Sequence, residues 1–270
     1  MRIARVASGD QPRYAVIELA EDNGDHPETA SFLNGDPAAG QVQYTGERVP
    51  LTEVRLLAPV IPRSKVLGVG RNYAAHATEM GNEVPAEPLV FFKPNTSVIG
   101  PGEAVVRPAG STELSFEGEL AVVIGRVCKQ VPAERVPEVI LGYTIANDIT
   151  ARDWQASDSQ WSRAKGADTF CPLGPYLITH LSVEEASNLD ITTTVNGQVR
   201  QQGNTRDMVR SIVDQIVWIS QWTTLLPGDV ILTGTPAGVG PIGPGDECSI
   251  TVTDLGTLTN PFVGDSPVDV

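Results

Sequence analysis

Ser115-Phe116-Glu117-Gly118-Glu119-Leu120-Ala121-Val122-Val123-Ile124-Gly125 is the stretch on which the reading of this chain turns. From Leu120 to Ile124 it is a run of aliphatic and β-branched residues closed by Gly125, the pattern of a strand buried on both faces. Two carboxylates stand ahead of that run. Side chains alternate along a strand, so Glu117 and Glu119 share a face, with α-carbons about 6.5–7 Å apart. Two like charges entering an interior lose solvation and raise each other's pKa. A positive charge belongs between them, and hard carboxylate oxygens suit Mg²⁺, Mn²⁺ or Ca²⁺. Taken alone, an E-x-E pair more often marks a solvated strand end, so the rest of the chain decides.

Working outward, Leu141-Gly142-Tyr143-Thr144-Ile145-Ala146-Asn147-Asp148 is a second buried strand ending in an acid. Asp148 therefore occupies the same polar rim, and three carboxylates plus water make a sensible Mg²⁺ shell. Thr150-Ala151-Arg152-Asp153 has the look of a capping box, which makes Asp153 a helix cap. Lys165 lies in a glycine- and proline-punctuated loop among small residues, a place for a charge that faces something anionic. Upstream, Lys65 to Gly81 reads as a short strand, a glycine turn and a short helix. Its G-x-G lacks the third glycine and later acid of a dinucleotide site. His76 and Glu79 stand at i and i+3, on one helix face. A carboxylate beside an imidazole fixes its tautomer and raises its basicity, as a general base requires, although a plain surface pair has the same spacing. The proline-spaced loop that follows makes residues 76–90 a lid segment. Lys93 ends an apolar strand, either snorkelling to solvent or presenting its charge at a pocket mouth.

The 270-residue chain has ordinary hydrophobic content (41%) and a net charge of -14. That charge argues against nucleic-acid binding and against an anionic membrane surface, and no apolar run reaches membrane-spanning length. Cys128, Cys171 and Cys248 are odd in number and widely spaced, without C-x-x-C, and the N-terminus has no apolar signal region. These features point to the cytoplasm. Residues 1–62 read as a small β-rich domain with turns at Asp22-Asn23-Gly24-Asp25 and Asn34-Gly35-Asp36-Pro37, and residues 63–270 as the catalytic domain. Asn196-Gly197 signals a hairpin, and Asp207 to Trp222 is the longest helical pattern.

The ordered motifs Gly70-Arg71-Asn72-Tyr73-x-x-His76-x-x-Glu79, Phe92-Lys93-Pro94, Phe116 to Gly125, Asn147-Asp148-x-x-x-Arg152-Asp153-x-Gln155, Lys165-Gly166-x-Asp168-Thr169-Phe170 and Thr233-Gly234-Thr235-Pro236-Ala237-Gly238-Val239-Gly240 resemble the fumarylacetoacetate hydrolase superfamily. The likeness is to its shorter bacterial members: acylpyruvases, oxaloacetate decarboxylases and 2-hydroxyhepta-2,4-diene-1,7-dioate isomerases. The resemblance implies an α+β, β-rich fold: a roll of mixed β-sheets with a few peripheral helices, a small N-terminal domain, and a homodimer. It implies Glu117, Glu119 and Asp148 as ligands of Mg²⁺ or Mn²⁺, His76 and Glu79 as base and orienter, and Lys165 as the catalytic lysine. Arg71, Lys93, Gly234 and Thr235 fall in its substrate-contacting motifs.

The chemistry expected is carbon–carbon cleavage of a 2,4-dioxo acid, of the acylpyruvate or fumarylpyruvate type, through a metal-bound enolate to pyruvate and a carboxylic acid. Decarboxylation of oxaloacetate or isomerisation of an aromatic-degradation dienoate passes through the same enolate. A non-enzymatic roll that binds a metal–carboxylate ligand would need the acids and Lys165 but not His76-x-x-Glu79; the pair favours an enzyme.

Overall fold

A computed structural model describes residues 1–9, 11–20 and 27–264. The turn expected at Asp22-Asn23-Gly24-Asp25 lies outside the described residues. The fold is the strand-rich α+β roll expected. Its largest sheet has 12 strands, and Gly118–Ile124 runs through the middle of it. That strand pairs antiparallel with Ile140–Asn147 on one side and with Val230–Leu232 on the other. Val230–Leu232 then runs parallel to Val66–Gly70, which pairs with the edge strand Leu89–Lys93. On the far side, Ile140–Asn147 leads to Cys171–Ile178 and on to Arg2–Ser8, so the first residues of the chain extend the same sheet.

All seven residues of Gly118–Ile124 are buried, and their alternation separates two cores. Leu120, Val122 and Ile124 pack with Ile191, Ile250, Val252 and Leu258 of a five-stranded sheet. Ala121 and Val123 face the other way, against Ile3, Val66, Leu177 and Val230. A strand buried on both faces needs apolar residues at every position, which explains the unbroken run. The odd positions continue to Glu119 and Glu117, so both acids emerge where the apolar run ends.

Asn196 and Gly197 turn the hairpin Asp190–Val195 to Gln198–Asn204 with φ of 51° and 76°. The long helix begins later than the periodicity suggests, at Ile212–Trp222, under a Ser211–Asp214 capping box. Asn72 holds the preceding segment out of the helix: its carbonyl accepts from the Val209 N–H and its Oδ1 from the Arg210 N–H, both at 2.8 Å. Among the described residues no helix is long and apolar enough to cross a membrane.

Candidate active site

Glu117 occupies the junction where Leu114–Phe116, paired with Thr150–Ala151 and Gly240–Ile242, gives way to Gly118–Ile124. The backbone there ties the acids together. The Asp148 N–H donates to the Glu117 carbonyl at 2.9 Å, and the Glu117 N–H donates to Asn147 Oδ1 at 2.9 Å. Glu119 follows on the same face. Glu117, Glu119 and Asp148, all buried, each bring one oxygen to within 4.8 Å of the others.

Three cations surround this cluster unevenly. Lys165, on the short helix Ser162–Gly166, donates to Glu117 Oε2 and Asp148 Oδ2, both at 2.7 Å. Arg152 reaches Glu117 Oε1 at 2.6 Å. Lys93 pairs with Asp148 Oδ1. Glu119 receives the Gly234 N–H at 2.7 Å and, among the described residues, no cation within ion-pair distance. Gly234 makes that contact possible, since its φ is +100° and a Cβ there would lie 2.7 Å from Asn72 Cβ.

The titrations follow this layout. Burial opposes ionisation of Glu117, but Lys165, Arg152 and His76 outweigh it and hold the carboxyl well below the usual carboxylate range. Burial, then the charges of Asp148 and Glu117, push Glu119 well above its ordinary value; Lys165 and the Gly234 N–H offset only part. Burial would lower Lys165, yet Asp148 and Glu117 raise it, so it stays a cation. An all-oxygen cluster with one carboxylate short of positive charge fits a divalent metal ion.

His76 lies on the helix Ala74–Glu79, its buried imidazole Nδ1 3.4 Å from Glu79 Oε2. Both Glu79 oxygens also accept the Gly238 N–H, at 3.1 and 3.0 Å, which ties the helix to the 234–240 loop. Farther along the expected lid, Trp218 Nε1 donates to Glu87 Oε2 at 2.8 Å and Arg210 donates to the Ala86 carbonyl. Arg71, His76, Lys165 and Thr235 line one cavity of about 580 Å³ with the three acids. Arg71 holds a φ of +58°, its guanidinium carbon 5.9 Å from the Trp161 ring centre.

Two residues expected against substrate lie elsewhere. Lys93 is fully buried behind Asp148, because its strand ends under that carboxylate rather than at the pocket mouth. Gly234 acts through its N–H on Glu119. The capping box expected at Thr150–Asp153 does not form, because Thr150 lies in a strand and the helix Arg152–Ser157 begins after Ala151 without a side-chain cap. Asp153 instead accepts from Trp154 N at 3.0 Å and from Ser111 Oγ and Thr112 N, both at 2.8 Å. Arg152 carries no local mark of a site residue in the sequence, although two buried acids imply more than one cation. Gln201, fully buried behind Thr235, gave no signal, since a glutamine in a polar hairpin reads as solvated.

The fold and the cluster together define a class: a β-roll enzyme whose acid-lined cavity suits a divalent cation. Residues 65–263 match the family model for the fumarylacetoacetate (FAA) hydrolase C-terminal domain, and residues 1–59 match an Rv2993c-like N-terminal model. The chain belongs to the fumarylacetoacetate hydrolase family. It is 50% identical to a crystal structure of 5-carboxymethyl-2-hydroxymuconate delta-isomerase from Mycobacterium smegmatis, covering 98% of this chain and 100% of that one at a TM-score of 0.89. It is 46% identical over 224 residues to the mitochondrial oxaloacetate tautomerase FAHD2A of Homo sapiens, covering 80% of this chain and 71% of that protein. A maleylpyruvate hydrolase from Sphingobium, solved with manganese(II) and pyruvate, is 31% identical at a TM-score of 0.79, covering 98% and 100% of the two chains.

Proposed function

We propose that this protein is a divalent-metal-dependent enzyme that converts small 2-oxo or 2,4-dioxo carboxylic acids through an enolate. The carrying observation is that the Glu79-backed His76 imidazole faces the same cavity as the carboxylate cluster. Glu117, Glu119 and Asp148 would hold Mg²⁺ or Mn²⁺, which when bound supplies Lewis-acid polarisation of the 2-oxo group. Lys165 adds a fixed positive charge where the enolate oxygen develops. His76 takes a proton from C3, and Glu79 holds Nδ1 so that Nε2 acts. Arg71 lines the cavity and offers a guanidinium to a substrate carboxylate.

Returning the proton to a different atom makes the reaction a tautomerisation or isomerisation. The relatives of 46% and 50% identity support this outcome. Carbon–carbon hydrolysis is the second reading, supported by the Sphingobium hydrolase and by a cavity of about 580 Å³, large enough for a small oxo acid and a water. There His76 takes a proton from water, the hydroxide adds to the distal carbonyl, and the carbon–carbon bond breaks. A carboxylic acid and the enolate of pyruvate leave, and the enolate takes up a proton. We also assign a homodimer, for which exposed Phe92 and Trp222 offer an apolar surface, and a cytoplasmic setting, which suits three free, buried cysteines.

The test uses protein stripped with chelator and refilled with Mg²⁺ or Mn²⁺, with three reactions followed side by side. These are enol-to-keto conversion of oxaloacetate, CO₂ release from oxaloacetate, and pyruvate release from acetylpyruvate and fumarylpyruvate. The expected result is metal-dependent tautomerisation as the fastest, reduced roughly 10²–10⁴-fold by His76→Ala. Faster acylpyruvate cleavage would put hydrolysis first, and faster CO₂ release decarboxylation. Tight metal binding with no turnover in any assay refutes the enolate reading.

A further inference from the structure

Gln201 and Thr235 close a ring of hydrogen bonds with the backbone of Gly118, between the two glutamates. The Gly118 N–H donates to Gln201 Oε1 at 3.0 Å. Gln201 Nε2 donates to the Pro236 carbonyl and to Thr235 Oγ1, both at 2.8 Å. Thr235 Oγ1 donates to the Gly118 carbonyl at 2.9 Å. Backbone amides only donate and carbonyls only accept, so these partners fix both the amide orientation and the hydroxyl proton. Gly118 admits the ring: a Cβ there would sit 2.3 Å from Thr193 Oγ1 and 3.2 Å from Gln201 Oε1.

A threonine hydroxyl has one proton and two lone pairs. Here the proton is committed to Gly118 and one lone pair to Gln201. What remains for the cavity that Thr235 lines is an acceptor. Lys165, which lines the same cavity, is a donor, so the two side chains present opposite polarity.

We infer that Thr235 reads the tautomeric state of the bound acid, accepting a hydrogen bond from an enol or 2-hydroxy group and offering none to a keto oxygen or carboxylate. Gln201 is the positioning residue that sets this polarity. The inference rests on the proposed enolate chemistry and deepens it by specifying the form the site recognises.

Pyruvate and lactate test it, since each carries one carboxylate and they differ at C2, a keto acceptor against a hydroxyl donor. Calorimetric titration of the Mn²⁺-loaded protein compares pyruvate with the better-binding lactate enantiomer. Thr235→Val should weaken lactate about five- to tenfold, the size of one neutral hydrogen bond, and pyruvate by less than about twofold. Thr235→Ser should restore lactate binding. Gln201→Met should shrink the lactate effect in the same direction; if it does not fold, the Val and Ser variants decide. Equal losses for both acids, a loss for pyruvate alone, or no loss overturns the inference while leaving the proposed function standing. If the wild type binds neither acid, the oxo-acid reading fails and the inference falls with it.

Discussion

The strand ends that carry Glu117 and Asp148 are wrapped in cations, whereas the next pleat carries Glu119, which accepts a backbone amide and, among the described residues, meets no cation within ion-pair distance. Glu117 and Glu119 share a strand face and are both buried, at 5% and 2% exposure, so burial does not separate them. What separates them is which neighbours the topology delivers. Lys93 arrives from an edge strand, Lys165 and Arg152 from two short helices, and all of them reach the Glu117–Asp148 side. The fold thus stabilises two of its acids internally and leaves the third to an external positive charge. In the proposed metal site all three carboxylates would be ligands, but Glu117 and Asp148 are also neutralised by the protein's own cations, whereas Glu119 would depend on the metal for its counter-charge.

Substitutions that break this contrast should have the largest effects. Glu117→Gln leaves Lys165 and Arg152 short of a buried partner, and Lys93→Met strips Asp148 Oδ1 of its ion pair. Removing one member of a buried pair costs about 3–5 kcal/mol, read by urea unfolding of the metal-free protein. Glu119→Gln deprives no cation of a partner. Its metal-free stability should match or exceed the wild type, because a carboxyl whose ionisation is opposed by burial and by Asp148 and Glu117 is replaced by an amide that cannot ionise. Its Mg²⁺ affinity should fall by at least the roughly 10–100-fold that loss of an outer partner of a metal ligand costs. Equal stability losses for Glu117→Gln and Glu119→Gln would dissolve the distinction.

Much of this arrangement is legible in the sequence because it follows local rules. Leu120 to Ile124 had to be buried on both faces, and the structure divides its even and odd residues between two cores. Glu117, Glu119 and Asp148 stood out as acids at the ends of apolar strands, and His76 and Glu79 as neighbours on a helix. The tertiary pairings were not legible. A lysine ending an apolar strand looks the same whether it snorkels or meets Asp148 from 55 residues away, and only sheet order decides. Gln201 belongs to a hairpin whose alternation is polar, so nothing local marks it as the residue inserted behind Thr235. The helix start is illegible for the same reason, since Asn72, 138 residues from Arg210, holds that segment extended.

The smallest effect expected is a slope with pH, and it sharpens the contrast most directly. A metal takes the ionised carboxylate, so binding displaces any proton that the raised Glu119 holds. Mg²⁺ affinity should therefore fall with pH, by about tenfold per unit once pH lies below the raised value. Glu117, held low, stays ionised through that range and adds no slope. The metal-free protein carries the counterpart. A carboxyl raised on folding favours its protonated form there, so stability declines as pH rises from the ordinary carboxylate range towards the raised value. Glu119→Gln should remove that decline. Calorimetry in two buffers of different ionisation enthalpy counts the protons released on Mg²⁺ binding. A count that falls to zero in Glu119→Gln but not in the wild type assigns the proton to Glu119. A count of zero in the wild type throughout would mean that Glu119 is as fully ionised as Glu117, and the difference between the two glutamates would vanish.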